Sequence, residues 1–230
     1  MISENLTIIE EKISKACEKS GRAREDVTLI CVSKTKPVSM VCEAYEAGQR
    51  QFGENKVQEI VLKAPEMPSD TIWHMIGHLQ KNKVKKAVGL SEIIHSVDSY
   101  ELAEVINKEA EKICKIQKIL LEVNIAGEDS KYGIAPNDVV ELADKLSCFN
   151  NIIISGLMCV APYTDDAENN RVYFKQMKEL LNNINKLNNK NIDGRYLSMG
   201  MSGDFEVAIE EGATHIRVGT SIFGERNYTK

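Results

Sequence analysis

Two lysines, Lys34 and Lys36, follow directly after an apolar segment, Val27–Val32. A lysine at the end of a buried strand is poorly solvated, which lowers the pKa of its amine and makes the amine nucleophilic. Such an amine can form a Schiff base with an aldehyde. The alternative is that the lysine extends its charged end into water. The spacing does not choose between the two lysines, because residues two apart share one strand face.

Two glycine-containing segments lie towards the C-terminal end of the chain, Ser202-Gly203-Asp204 and Gly219-Thr220-Ser221. Glycine allows backbone N–H groups to approach an anion closely, and the Ser and Thr hydroxyls add donors. A helix that begins at either segment would add a favourable dipole for a phosphate. The alternative is that Ser202, Asp204 and Thr220 only cap helix N-termini.

Arg217 stands out because it lies in an apolar segment, His215–Val218. If its side chain points inward, it needs an acceptor other than water, such as a ligand atom. The alternative is an outward arginine paired with a helix glutamate. His74 and His78 have the spacing of some metal ligands, but that motif requires a helix and a Glu after the first His. We therefore predict no metal site, and we expect His74 to face a cavity mouth or to be a satisfied core histidine.

Short apolar segments that alternate with helical patterns must position these residues. After a first helix that contains Leu6, Ile9, Ile13 and Ala16, eight such segments follow. They are Val27–Val32, Gln51–Gly53, Ile72–Ile76, Glu92–Val97, Ile119–Ile125, Ile152–Val160, Tyr196–Met199 and His215–Val218. Strict alternation predicts an α/β fold with a parallel sheet, and eight units predict a (β/α)8 TIM barrel with an extra N-terminal helix. No linker divides the chain, so we predict a single domain over residues 1–230.

The predicted barrel favours a phosphate site over helix caps. Active sites of such barrels lie at the carboxyl ends of the strands, and a phosphate is often held by the loops after strands seven and eight. Both glycine-containing segments fall there. An open doubly wound sheet is the competing architecture, but no GxGxxG follows the first strand.

Composition and charge exclude several classes of function. The net charge of −5 argues against nucleic-acid binding, which needs a concentrated basic surface. No segment is apolar enough to span a bilayer, and the N-terminal segment lacks the features of a signal peptide. No two of the six cysteines lie within four residues of each other, so we expect reduced thiols in a cytoplasmic protein.

Motifs along the whole chain resemble the pyridoxal phosphate homeostasis protein family, also called the proline synthetase co-transcribed homologue or YggS-type family. The matching segments are Val32-Ser33-Lys34-Thr35-Lys36-Pro37, Gln51-Phe52-Gly53-Glu54-Asn55, Trp73-His74-Met75-Ile76-Gly77, Ser130-Lys131-Tyr132-Gly133, Gly156-Leu157-Met158, Leu197-Ser198-Met199-Gly200-Met201-Ser202-Gly203-Asp204, Arg217-Val218-Gly219-Thr220 and Ile222-Phe223-Gly224. His78 and Gly203 stand where many relatives carry other residues.

The resemblance implies a barrel like the N-terminal domain of alanine racemase. It implies pyridoxal 5'-phosphate (PLP) as cofactor, bound as an imine on Lys34 rather than on Lys36. Further cofactor-binding residues follow from it. They are Ser202, Gly219 and Thr220 at the phosphate, Arg217 near the pyridine nitrogen, and Asn55, His74 and Met158 beside the ring.

The resemblance further implies a protein of intracellular PLP homeostasis that buffers PLP or delivers it to apo PLP-dependent enzymes. An arginine stays charged and cannot lend a proton to the ring nitrogen, which weakens the electron-sink chemistry of this cofactor. The chain also lacks the second domain of alanine racemase, which supplies an acid–base tyrosine and forms the dimer. We therefore expect a monomer without substantial turnover. The alternatives are a weak amino-acid racemase, an aldolase-like barrel enzyme that uses Lys34, and a scaffold that binds an acidic protein through Lys81–Lys86.

Overall fold

The computed structural model describes residues 1–128 and 130–225, and its sheet is a closed barrel of eight parallel strands. Each strand pairs with its neighbours in chain order, and β8 pairs with β1 to close the barrel. The strands are β1 (Thr28–Val32), β2 (Gln51–Glu54), β3 (Ile72–Met75), β4 (Ile93–Val97), β5 (Gln117–Val123), β6 (Ile152–Cys159), β7 (Ile192–Ser198) and β8 (His215–Val218). The predicted TIM barrel is confirmed.

Helices surround the barrel because a parallel strand must be followed by a crossover that covers the sheet. The helices are α1 (Ile2–Lys19), α2 (Val38–Glu46), α3 (Val57–Lys63), α4 (Val84–Leu90), α5 (Tyr100–Lys112), α6 (Val139–Lys145), α7 (Arg171–Asn185), α8 (Phe205–Glu210) and α9 (Thr220–Phe223). The extra N-terminal helix is α1, which packs on α2, α8 and α9. None of the helices in the described ranges combines the length and apolar composition that crossing a bilayer requires.

Two separate apolar regions hold the fold together. The larger one lies between the outward faces of the strands and the helices, where Phe52, Phe174 and Phe205 are almost fully buried. The smaller one lies inside the barrel, where Ile93, Leu120 and Met158 pack together. The barrel interior is thus filled by side chains, and a ligand can enter only at an end.

Two of the predicted strands differ from those observed by more than one residue at their ends. β7 begins at Ile192, four residues before the predicted start. The prediction started too late because Asp193, Gly194 and Arg195 lack the apolar character that was used to find strands. β5 runs from Gln117 to Val123, whereas the prediction ran from Ile119 to Ile125. The other strands begin and end within one residue of the predicted positions.

Candidate functional site

A cavity of about 470 Å³ opens at the carboxyl ends of the strands. Its described lining residues are Val32, Lys34, Lys36, Asn55, Ile76, Val160, Pro162, Tyr163, Thr164, Asn170, Met201, Ser202, Gly203, Asp204, Arg217, Gly219, Thr220 and Gly224. The structure therefore brings six of the eight predicted site residues into one cavity. Those six are Lys34, Asn55, Ser202, Arg217, Gly219 and Thr220.

Lys34 and Lys36 both line the cavity, but Lys36 has a structural role. The Lys36 ammonium donates to the carbonyl oxygens of Phe223, Gly224 and Glu225 at 3.0, 3.0 and 2.8 Å. These carbonyls lie at the end of α9, where a cation is favourable. The Lys36 amine is therefore held at the C-terminal end of α9, and Lys34 is the better candidate for a nucleophile.

Thr35, between the two lysines, has a φ of 64°. A positive φ is unfavourable for a β-branched residue, and such strain concentrates at functional sites. The Thr35 N–H donates to Glu59 Oε2 at 2.7 Å. This bond holds the turn that carries Lys34 against the start of α3.

Lys63 connects the same turn to β1 and β2. Its side chain is 7% exposed, and its ammonium donates to the Ser33 carbonyl at 2.8 Å, to Glu54 Oε1 at 2.7 Å and to Glu59 Oε2 at 2.9 Å. Burial raises the pKa of Glu54 to about 7, although the bonds from Lys63 and Ser33 oppose this shift. Buried ionic contacts thus fix the backbone on both sides of Lys34.

The two glycine-containing segments line the cavity side by side, after β7 and β8. In the described part of the chain, the N–H groups of Ser202, Gly203 and Thr220 and the hydroxyls of Ser202 and Thr220 have no hydrogen-bond partner. A side chain at Gly219 would place its Cβ 3.1 Å from the Val32 carbonyl oxygen, so glycine allows β8 to end close to β1. The segments can therefore offer several donors to an anion.

The helix-cap alternative is not supported for these segments. Asp204 precedes α8 and makes no side-chain capping bond. The residue that precedes α9 is Gly219, which has no side chain to cap a helix. Asp204 Oδ1 instead accepts from the Met201 N–H at 2.7 Å, and its Oδ2 accepts from Asn170 Nδ2 at 2.8 Å. The Asp204 carboxylate thus shapes the first loop rather than the helix.

Arg217 points into the barrel, and its side chain is almost fully buried. Its Nη1 donates to Ser198 Oγ at 2.6 Å, and its Nη2 donates to the Cys159 carbonyl at 2.8 Å. Burial lowers the pKa of this guanidinium. No carboxylate within the described ranges forms an ion pair with it, which excludes the alternative of an outward arginine paired with a helix glutamate. A buried cation that lines a cavity in this way calls for an acceptor from a ligand.

His74 and Met158 are not among the described lining residues of the cavity. His74 is buried deeper in the barrel, between His95 Nε2 at 3.0 Å and Gln51 Oε1 at 2.7 Å. Burial lowers its pKa to about 3. Met158 packs inside the barrel, and Val160, two residues further along, reaches the cavity. Direct contact of either side chain with a ligand in this cavity is therefore not supported by the geometry.

Sequence reasoning missed His95 and Ser198, which connect His74 to Arg217. His95 Nδ1 lies 2.9 Å from Ser198 Oγ, and both residues are fully buried. The available signal was a polar residue at an inward position of an apolar strand, as in Ile93–Val97. His78, which shares the HxxxH spacing with His74, is instead stacked on Tyr132 with ring centroids 4.0 Å apart.

Comparisons with known proteins agree with this geometry. The family model described as alanine racemase, N-terminal domain matches residues 5–227. The chain is 43% identical to the pyridoxal phosphate homeostasis protein of Aquifex aeolicus over 98% of both chains. A crystal structure of an unknown protein from Bifidobacterium adolescentis has a TM-score of 0.92 at 34% identity and covers 96% of this chain and 94% of its own.

A second solved structure is that of PipY from Synechococcus elongatus with PLP bound. It has a TM-score of 0.83 at 37% identity, and the match covers 97% of this chain and all of the other. The chain therefore belongs to the pyridoxal phosphate homeostasis protein family, which shares the alanine racemase N-terminal domain.

Proposed function

We propose that this protein binds PLP in the cavity at the carboxyl ends of the strands and takes part in intracellular PLP homeostasis. The observation that carries the proposal is the convergence of Lys34, Arg217 and the two glycine-containing segments on one cavity. Its volume of about 470 Å³ lies within the range of small-molecule sites. The PLP bound to PipY, at 37% identity, supports the same ligand here.

The donors in the cavity fit the chemical groups of PLP. Ser202, Gly219 and Thr220 suit a phosphate, because their N–H groups and hydroxyls lie on two adjacent loops. Arg217 suits a ring nitrogen that accepts a hydrogen bond, because a guanidinium is always a donor. Asn55 enters the cavity from the end of β2 and would lie beside the ring. His74 and Met158 would act only through residues nearer the cavity.

When bound, PLP supplies an aldehyde that bonds reversibly to amines. Lys34 would hold that aldehyde through its Nζ, while the Lys36 amine stays on the α9 carbonyls. Arg217 cannot give up a proton and so would keep the ring nitrogen unprotonated. Because the cavity opens to solvent, PLP could leave it. Apo PLP-dependent enzymes would receive the released PLP. We propose this role for a cytoplasmic monomer that holds and releases PLP.

Borohydride reduction followed by peptide mapping tests the proposal. We expect a visible absorption band from the purified protein loaded with PLP, loss of the band on reduction, and a pyridoxyl mass on the Lys34 peptide. Lys34→Arg keeps the charge and should carry no label, whereas Lys36→Arg should still be labelled on Lys34. Absence of any band after addition of PLP, or label on Lys36, would overturn the assignment.

A weak amino-acid racemase is the second candidate, since the family model is that of the racemase barrel. Racemisation needs two opposed acid–base groups. Besides Lys34, the lining offers Tyr163, whose side chain is 92% exposed, and Asp204, whose carboxylate is held by Asn170. Exchange of the alanine α-hydrogen in deuterated water, abolished by Lys34→Ala, would favour the racemase.

A further inference from the structure

A chain of buried hydrogen bonds runs from Arg217 into the lower part of the barrel. Arg217 Nη1 contacts Ser198 Oγ at 2.6 Å, and Ser198 Oγ contacts His95 Nδ1 at 2.9 Å. His95 Nε2 lies 3.0 Å from His74 Nδ1, and His74 Nε2 lies 2.7 Å from Gln51 Oε1. The chain joins side chains from five strands or strand ends, and only its arginine lines the cavity.

The first donor determines the direction of the whole chain. A guanidinium only donates, so Ser198 Oγ accepts from Arg217. The Ser198 hydroxyl hydrogen then has one acceptor among the described residues, His95 Nδ1. His95 must carry its hydrogen on Nε2 and donate to His74 Nδ1. His74 in turn carries its hydrogen on Nε2 and donates to the Gln51 carbonyl oxygen.

The reverse direction leaves one group unsatisfied. If His95 carried its hydrogen on Nδ1, both Arg217 and His95 would donate to Ser198 Oγ. The Ser198 hydroxyl hydrogen would then be buried without a described acceptor, which costs free energy. The forward direction gives a partner to every hydrogen in the chain, and it requires both imidazoles to be neutral.

We propose that Ser198 and His95 are positioning residues that hold the Arg217 guanidinium against the cavity. They do so through this series of hydrogen bonds, in which each group donates to the next one away from Arg217. Ser198 presents a lone pair to Arg217 because its own hydrogen is taken by His95. Two guanidinium N–H groups are thereby used inside the protein, on Ser198 Oγ and the Cys159 carbonyl. The remaining N–H groups have no acceptor in the described part of the chain and are available to a ligand. The role rests on the proposed function, since the ligand in question is PLP.

The tautomers can be tested without any ligand. In protein labelled with ¹⁵N on histidine, we expect His74 and His95 to show Nε2 protonated and Nδ1 unprotonated at neutral pH. Ser198→Ala should remove the hydrogen bond from Ser198 that fixes the tautomer of His95, and the ¹⁵N chemical shift of His95 Nδ1 should change. Protonation on Nδ1 of His95 in the wild-type protein would overturn the proposal.

The effect on the site is tested by titration with PLP. Ser198→Ala should raise the dissociation constant for PLP about tenfold, since a hydrogen bond to a charged group is lost. Ser155→Ala is the matched control, because Ser155 is buried on the neighbouring strand β6 without a described side-chain hydrogen bond. Equal affinity of the Ser198→Ala variant and the control would contradict a positioning role.

Two substitutions of His95 separate positioning from packing. In His95→Asn, the side-chain amide oxygen can lie near the position of His95 Nδ1 and can still accept the hydrogen bond from the Ser198 hydroxyl. Gln places its amide near the Nε2 position and can contact His74 but not Ser198. We expect His95→Asn to retain most of the PLP affinity and His95→Gln to lose as much as Ser198→Ala. Equal losses would point to packing and overturn the proposal.

Failure of the proposed function would be visible separately. If the wild-type protein did not bind PLP, the proposed function would be wrong whatever the tautomers. If it bound PLP on Lys34 and Ser198→Ala bound equally well, only the positioning role would be wrong.

Discussion

Three buried imidazoles pack together inside the barrel, and one of them, His95, connects to Arg217 through Ser198. His74, His95 and His215 contact one another edge to face, with ring centroids 5.1 to 6.2 Å apart. Burial lowers the pKa of His74 to about 3 and that of His215 to about 4, and it places the pKa of His95 well below its usual value. Arg217 adds to the lowering for His95 and His215. The folded protein therefore keeps all three rings neutral.

This arrangement predicts a loss of stability in acid. The unfolded chain takes up protons on these histidines below about pH 6.5, whereas in the folded protein His74 does so only near pH 3, His215 only near pH 4, and burial keeps the pKa of His95 well below its usual value. The free energy of unfolding should thus fall as the pH drops below 6.5. Glu54 and Glu122, whose pKa values burial raises to about 7, act in the opposite direction between pH 4.5 and 7.

His215→Phe isolates the contribution of one histidine. The phenyl ring can keep the edge-to-face contact with Tyr196, while the titrating group is removed. Between pH 6 and 4.5, the free energy of unfolding of this variant should fall less steeply than that of the wild type, by about 1 kcal/mol per pH unit. Urea unfolding at a series of pH values measures both slopes, and parallel slopes would contradict the lowered pKa of His215.

At the scale of elements, the order and type of all eight strands follow from the apolar segments of the sequence. The rule that barrel sites lie at the carboxyl ends of strands selected Lys34, Asn55 and Arg217, and the structure has all three in the lining of one cavity. Contacts made across the barrel could not be predicted. The partner of His95 is Ser198, which is 103 residues away, and the register that joins them depends on the closure of the sheet.

The conformation of Thr35 was equally hidden from sequence reasoning. A β-branched residue rarely adopts a positive φ, so nothing in the sequence was a reason to expect one at Thr35. The turn is held by Glu59, which lies 24 residues further along the sequence. The spacing of Lys34 and Lys36 did not choose between them, and only the family resemblance favoured Lys34. The bonds from the Lys36 ammonium to the α9 carbonyls could not be read from any local pattern.

A glycine on β6 gives a prediction at this scale. Gly156 lies at an irregularity in the pairing with both neighbours, with φ 156°, and an added Cβ would lie 1.8 Å from the Tyr196 carbonyl oxygen. Because backbone must move, Gly156→Ala should lower the free energy of unfolding by about 3 kcal/mol or more. Urea or thermal unfolding of the variant measures the loss.

Gly89→Ala is the matched control for the same chemical change. Gly89 is exposed within α4, and an added Cβ there meets no atom within 4 Å. Gly89 is the second-last residue of α4 and does not have a positive φ, so the free energy of unfolding of this variant should change by no more than about 0.5 kcal/mol. A change in stability for Gly156→Ala as small as that for Gly89→Ala would mean that β6 and β7 are further apart than described.

At the scale of the whole molecule, the N-terminal helix connects the beginning of the polypeptide to the helices that follow the last two strands. Ile13 on α1 is fully buried, and α1 packs on α8 and α9, which follow the last two strands. Asn5 Nδ2 donates to the Ile222 carbonyl at 2.9 Å, and Arg22 Nη1 donates to the Ala213 carbonyl at 2.8 Å. Together with the pairing of β1 and β8, these contacts support the prediction of a single domain.

Ile13→Ala tests whether α1 and the barrel unfold together. Truncation of this buried side chain should lower stability by about 3 kcal/mol. Trp73, the only tryptophan, lies buried on β3, away from the contacts of α1 with α8 and α9. In a single cooperative domain, the substitution should shift the urea midpoint measured by Trp73 fluorescence as much as the midpoint measured by circular dichroism. Ile8→Ala, on the exposed face of α1, should move neither by more than about 0.5 kcal/mol. A shift in circular dichroism without one in fluorescence would show that α1 detaches alone, and the single-domain prediction would then be wrong.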